Sequence, residues 1–264
     1  MKLIHLIFAV AVCFNGAFLT AAQDNFSLWP RRPDELEKAR RLLAEQKRGE
    51  AVRLLQPFVH DGGVAGVEAR QITSSVNAPR YLSRLHPYAK VYAVKRGDTL
   101  PKIAAATKCP VDVLMMLNGL VEPSDLKIGQ KVVYISMELR MEIYPSTREI
   151  CVWDGESLVA SYKIMELHGV DDKITEPVTV EIASRQPMLQ GKAVPVTSAQ
   201  AASADKVLQL TDGVSVVGTP QADGRYLLLS AMDANELALL LRAGNMVIWA
   251  SEPQGSSPIS AEKQ

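Results

Sequence analysis

Val91-Tyr92-Ala93-Val94-Lys95-Arg96-Gly97-Asp98-Thr99-Leu100-Pro101-Lys102-Ile103-Ala104 changes period part-way along its length. Tyr92, Ala93 and Val94 read as a short strand and Lys95-Arg96-Gly97-Asp98 as a tight turn. Residues 99–107 read as a helix with Leu100, Ile103 and Ala104 on one face. Asp98 or Thr99 can cap that helix by accepting from a free amide of its first turn, and Pro101 sits where its missing donor does no harm. A second helix over 111–117 turns Val111, Leu114 and Leu117 inward and stops at Asn118-Gly119. After a loop at 121–127, Ile128-Gly129-Gln130 leads into a second strand over 131–135. The order is strand, helix, helix, strand.

Tyr92-x-Val94-x-x-Gly97-Asp98-Thr99-Leu100-x-x-Ile103-Ala104, then Val111, Leu114, Leu117-Asn118 and Leu126-x-x-Gly129-Gln130, resemble the LysM domain along its whole length. A chance helical hairpin would not also reproduce the Asn118-Gly119 stop and the Gly129-Gln130 turn. The resemblance implies a shallow groove for N-acetylglucosamine-containing glycans. Its walls here are Gly97, Asp98, Thr99 and Leu100 on one side and Asn118, Gly119, Leu120 and Val121 on the other. Turn amides can bond acetamido oxygens, and apolar neighbours such as Leu100 and Leu120 can cover the sugar methyl. No titrating group, metal or cofactor is needed to hold a sugar. Asp98, Thr99 and Asn118 would also stabilise turns and helix ends. One such module binds weakly, so firm attachment needs a second contact.

Upstream of this module, Met1-Lys2 precedes a short apolar run over residues 3–19, which ends in Thr20-Ala21-Ala22 before polar residues. That is the pattern of a secretory signal at 1–22. The uninterrupted apolar core, residues 6–14, is too short to span a bilayer, so no membrane span is expected after cleavage. Cys13 lacks the small residues that lipid modification requires just before it. The sequence therefore places the protein in the periplasm or cell wall. Cys109 and Cys151 remain after cleavage, in separate candidate domains, and read as two buried free thiols. Four scattered histidines form no metal-ligand spacing.

Residues 33–86 form a candidate helical segment beyond the linker at 29–33. Leu36, Ala39, Leu42, Leu43, Ala51, Val52, Leu54, Leu55 and Phe58 fall on helical spacing, broken at Arg48-Gly49. Gly49 is expected to end the first helix and Pro57 the second. A third helix over 64–76 follows. The pair is similar to half of a tetratricopeptide-type repeat; alone it cannot bury its apolar face, so it must pack on a neighbour.

Downstream, Met137, Leu139, Met141 and Ile143 alternate with Glu138, Arg140 and Glu142, as a strand with one wet face requires. Further strands are expected at 149–153, 158–164, 178–183, 207–210, 214–217 and 226–229, with a long loop over 194–204. A helix over 232–242 is capped by Ser230 and ended by Gly244, a last strand covers 246–249, and the tail from 251 reads as disordered. The fold class is α+β: a helical segment at 33–86, the βααβ module at 91–135, and a mostly β domain at 137–250 with one late helix.

This third domain resembles the L,D-transpeptidase catalytic domain. The resemblance rests on residues 139–147 with Ile150-Cys151-Val152-Trp153-Asp154-Gly155, on 175–182, and on Val214-Ser215-Val216-Val217-Gly218-Thr219 followed by Leu229-Ser230 and Asn235-Glu236-Leu237. That family attacks with a cysteine following a His-Gly pair, and an upstream His-Gly-Thr completes the site. Here Val217 stands where the upstream histidine belongs, and Asp223-Gly224-Arg225-Tyr226 replaces the His-Gly-Cys run. Cys151 reads as a core thiol, and no cysteine follows His168-Gly169. The reading is a noncatalytic peptidoglycan-binding envelope protein with no catalytic residues. One alternative is an L,D-transpeptidase or other wall-modifying enzyme with a rearranged site; another is an assembly factor whose helices recruit a second envelope protein. Balanced charge, 29 basic against 29 acidic residues, argues against a nucleic-acid partner.

Overall fold

A computed structural model describes residues 32–189, 192–196 and 198–253. The expected signal segment at 1–22 and tail residues 254–264 lie outside them.

Helices α1 (Arg32–Ala44), α2 (Arg48–Leu55) and α3 (Gly63–Tyr81) form the first layer, with a 3-10 turn at Gln56–Phe58 that carries Pro57. Leu36, Ala39, Ala51, Leu55 and Ala69 bury their mutual contact. The expected stop at Gly49 is displaced. Gln46 takes the left-handed conformation (φ 62), and Gly49 lies in the first turn of α2. The reason is local: the Lys47 amide returns to the Leu42 carbonyl at 2.8 Å and Gln46 to Leu43 at 3.0 Å. This double closure satisfies the end of α1 before the glycine is reached. Helix α3 outruns its expected end at residue 76 because its last turns are used in docking. At its other end, a Cβ on Gly66 would lie 1.9 Å from the Asp61 carbonyl oxygen, so only glycine fits there.

The next unit holds β1 (Lys90–Ala93), α4 (Leu100–Thr107), α5 (Val111–Asn118) and β2 (Lys131–Tyr134). The strands pair antiparallel from Lys90↔Tyr134 to Ala93↔Lys131. Leu100, Ile103, Val113, Leu114, Leu117 and Val132 are buried beneath them. Val113 is buried as well, and Val111, half-buried, packs against the same core.

The rest is one sheet and a helix. Its strands are β3 (Arg140–Tyr144), β4 (Glu149–Asp154), β5 (Ser157–Lys163), β6 (Glu166–His168), β7 (Val178–Leu189), β8 (Lys192–Ala193), β9 (Asp205–Leu210), β10 (Val214–Val217), β11 (Arg225–Leu228) and β12 (Met246–Trp249). They run in the order β5-β4-β3-β12-β7-β9-β10-β11-β6, with β8 paired to β7. The two ends of that order, β5 and β6, belong to almost continuous chain. The Ile164 amide bonds the Arg148 carbonyl on one side, and the Met165 amide bonds Leu228 on the other. At the opposite corner β7 pairs with β12 as far as Glu181 and with β9 from Ile182 onward, bending at an irregularity between Ile182 and Ser184. The sheet therefore curls until one stretch of chain carries both its ends, which removes most open edges. Helix α6 (Ala231–Leu240), N-capped by Ser230, buries Ala234, Leu237, Ala238 and Leu240 in the same core. The expected loop over 194–204 contains a 3-10 turn at Ala199–Ala202.

Strand β4 explains its own composition. Ile150 and Val152 face the interior of the curled sheet, whereas Cys151 and Trp153 face Val59 in a second cluster beneath the helices. A strand buried on both faces reads as a continuous apolar run.

Candidate functional site

The residues expected to line a groove lie in two places: 97–100 at the turn from β1 into α4, and 118–121 at the end of α5. Gly97 has φ +85, which lets the chain turn out of β1 without a Cβ penalty. Asp98 closes that turn: its carboxylate accepts from the Lys95 amide at 2.7 Å and the Tyr92 hydroxyl at 3.0 Å. The Lys95 amide, aided by Tyr92, holds the Asp98 carboxyl below the usual carboxylate range. Thr99 is the N-cap of α4, accepting from the Lys102 amide at 3.4 Å. The Leu100 side chain departs from expectation. It is 1% exposed and packed in the core, so it offers no surface to a sugar methyl.

On the second wall, Asn118 is consumed structurally. Its amide nitrogen donates to the carbonyls of Leu114 (2.8 Å) and Val133 (2.7 Å), and its oxygen accepts from the Val133 amide at 2.7 Å. That pins the end of α5 to β2. Gly119 follows at φ +64 as the left-handed C-cap. The amides of Gly119 and Leu120 return to α5, and that of Val121 bonds the Asp125 carboxylate at 2.9 Å. Leu120 packs partly on the core, while Val121 stays 74% exposed.

The two walls thus differ in hydrogen-bonding character. Among the described residues, the amides of Gly97, Thr99 and Leu100 have no internal acceptor, whereas those of 119–121 are all engaged. Of the last four carbonyls of α5, those of Met115 and Met116 accept the returning amides, which leaves those of Leu117 and Asn118 as the acceptors on this side.

Residues 92–133 match the LysM domain family. No curated protein matches the chain. The LysM match supports binding to peptidoglycan or other N-acetylglucosamine glycans, and LysM domains occur characteristically in extracellular and envelope proteins.

The LysM module is joined firmly to the β domain. Arg185 on β7 holds both oxygens of Asp112 on α5 at 2.6 and 2.8 Å, and also bonds the Ala238 carbonyl at 3.0 Å. The Met137 amide bonds the Lys108 carbonyl at 2.8 Å. Leu100, Cys109 and Val113 belong to the same buried cluster as Met137, Leu208 and Leu237.

Neither of the described cysteines is poised for attack. Burial pushes the Cys109 thiol up to about 11 and the Cys151 thiol well above its ordinary value. Both stay protonated at neutral pH, and a protonated thiol is a poor nucleophile. The described histidines pack elsewhere: His60 on Trp153, His86 between Tyr81 and Tyr88, and His168 on Tyr226. Val217 lies in an apolar cluster with Tyr226 and Leu228. No group of acidic, histidine and cysteine side chains among the described residues could hold a metal ion.

Proposed function

We propose that the chain is an exported, noncatalytic peptidoglycan-binding protein of the periplasm or cell wall. Its LysM groove holds the acetamido group of N-acetylglucosamine between donors at Gly97, Thr99 and Leu100 and acceptors at the end of α5. The observation that carries this reading is the LysM match together with the amides of Gly97, Thr99 and Leu100, which have no acceptor among the described residues. Exposed Val121 and half-buried Leu120 cover the sugar methyl. Asp98, Thr99 and Asn118 act indirectly, by fixing the turns that present these backbone groups.

The β domain serves as a transpeptidase-like scaffold whose nucleophile and base have been lost. The protonated thiols and the apolar surroundings of Val217 support this assignment. Retention on purified peptidoglycan, followed by centrifugation and immunoblotting, tests the binding. The native protein is expected in the pellet and should be released by soluble N-acetylglucosamine oligomers. A folded protein that stays in the supernatant removes the proposal. Unchanged crosslink composition in sacculi incubated with the protein is the expected result for a noncatalytic chain. Altered crosslinks abolished by Cys151→Ala would establish an enzyme instead.

A further inference from the structure

A cavity of about 610 Å³ opens where the end of α3, the connection from 82 to 89, the LysM ribbon and the β4–β5 turn come together. Its volume falls within the range of sites for small ligands. One wall is aromatic. The ring of His86 lies 4.3 Å from that of Tyr81 and 5.4 Å from that of Tyr88. Tyr88 is 66% exposed, an unusually open position for an aromatic ring beside a cavity. Ser136, Ser157 and Leu158 also line it.

The charges lining the cavity are unevenly satisfied. Asp154 accepts the Tyr81 hydroxyl, and Glu138 is answered by Lys108 and, at 4.0 Å, by Arg242. Arg80 and Lys90 are exposed, and neither makes an ion pair or side-chain hydrogen bond with another described residue. The unanswered charge in this cavity is positive, beside apolar and aromatic surface and hydroxyl groups. Such a lining suits a short peptide with a free carboxylate: the carboxylate meets two cations, the side chains meet the rings, and the amides meet serines and Asn77.

We propose that this cavity is a second binding site, for the peptide stem carried by a wall glycan, with Arg80 and Lys90 receiving its carboxylate. The inference builds on the glycan reading of the LysM groove. The cavity and the 97–100 side of the groove lie toward opposite ends of the ribbon, because Lys90 opens β1 and Gly97 follows its end, whereas Asn118 on the other side bonds Val133, the partner of Val91. The four residues of β1 span about 13 Å at roughly 3.3 Å each. An extended stem of four or five residues covers a similar length. Two weak contacts on one ligand supply the avidity that a lone LysM module lacks.

Calorimetry with two separate probes tests this: the free tetrapeptide L-Ala-γ-D-Glu-L-Lys-D-Ala, and chitotetraose, which has sugar and no peptide. The native protein is expected to bind both. Arg80→Gln combined with Lys90→Gln should weaken the tetrapeptide at least tenfold and leave chitotetraose unchanged, which also shows that the variant is folded. Amidating the terminal carboxylate of the probe should weaken binding to the native protein by a similar factor. A tetrapeptide that fails to bind, or that binds native and doubly substituted proteins equally, overturns the site. Loss of chitotetraose binding with the tetrapeptide result intact overturns the groove reading and upholds this one.

Discussion

The β domain receives two neighbours by different means. Against the helices it uses buried charge. Arg70 on α3 is wholly inaccessible and reaches the Glu149 carboxylate at 2.7 Å, the Val59 carbonyl at 3.0 Å and the Asp61 carbonyl at 2.8 Å. Ser161 donates to the same carboxylate at 2.6 Å. Burial opposes the Arg70 charge, but Glu149 more than offsets this and holds the guanidinium above its ordinary value. Helix α3 then covers the outer edge of β5: Ser74 accepts from the Ser161 amide at 2.8 Å, and Asn77 donates to the Leu158 carbonyl at 2.7 Å. Against the LysM module the domain uses mainly apolar burial, with the Arg185–Asp112 pair at its margin, 9% and 21% exposed. A polar junction tolerates few arrangements because each buried group needs its partner. An apolar junction depends on volume and tolerates the loss of one contact better.

The largest expected effect follows from the first junction. Arg70→Met leaves Glu149 buried without its cation and should cost about 3–5 kcal/mol of unfolding free energy, read by urea denaturation. Replacing Glu149 with leucine in the same chain should restore much of that loss; a double variant as unstable as the single one would show that Glu149 is not the reason. Asp112→Ala tests the second junction. It removes both carboxylate contacts of Arg185 and should cost roughly 1.5–3 kcal/mol, less than Arg70→Met because water reaches the pair. Equal costs at the two sites would erase the distinction. Thr99→Ala lies away from both junctions and should cost about 1 kcal/mol through the lost cap of α4. Its effect should add to that of Asp112→Ala, as distant sites do.

The smallest effect is one of pH, and it concerns His86, near the helical junction. Burial, then the Arg80 charge, lower its imidazole from the ordinary value, with Asp154 pulling the other way. The unfolded chain therefore takes up this proton first. Stability from this group is complete above about pH 6.5 and declines as pH falls from there through the lower folded value. His86→Gln should flatten that part of a stability-versus-pH curve; an unchanged slope would assign the acid sensitivity to other groups.

What could be read in the sequence was what short-range chemistry fixes. Gly97, Gly119 and Gly129 carry the positive φ values, 85, 64 and 80, that their turns demand, and the strand and helix periods between them were legible for the same reason. The alternation of Met137, Leu139, Met141 and Ile143 marked a buried face, although ladder pairing begins only at Arg140. Strands β6 and β8, of three and two residues, were invisible because so few side chains carry no period. The partners of Arg70 could not be seen either, since Glu149 lies 79 residues away. At the groove, the positions were legible and the division of labour was not. Leu100 turns inward because the core beneath the ribbon claims it, and Asn118 spends its amide on Val133, a pairing that depends on how β2 lies against α5.

The core shared by the LysM module and the β domain has a mechanical consequence. The module has no slack on that side, so a polysaccharide lying in its groove would meet the rest of the molecule at one angle. Tension along such a strand would pass into the sheet through Met137, where the two units are stitched by a backbone bond to Lys108.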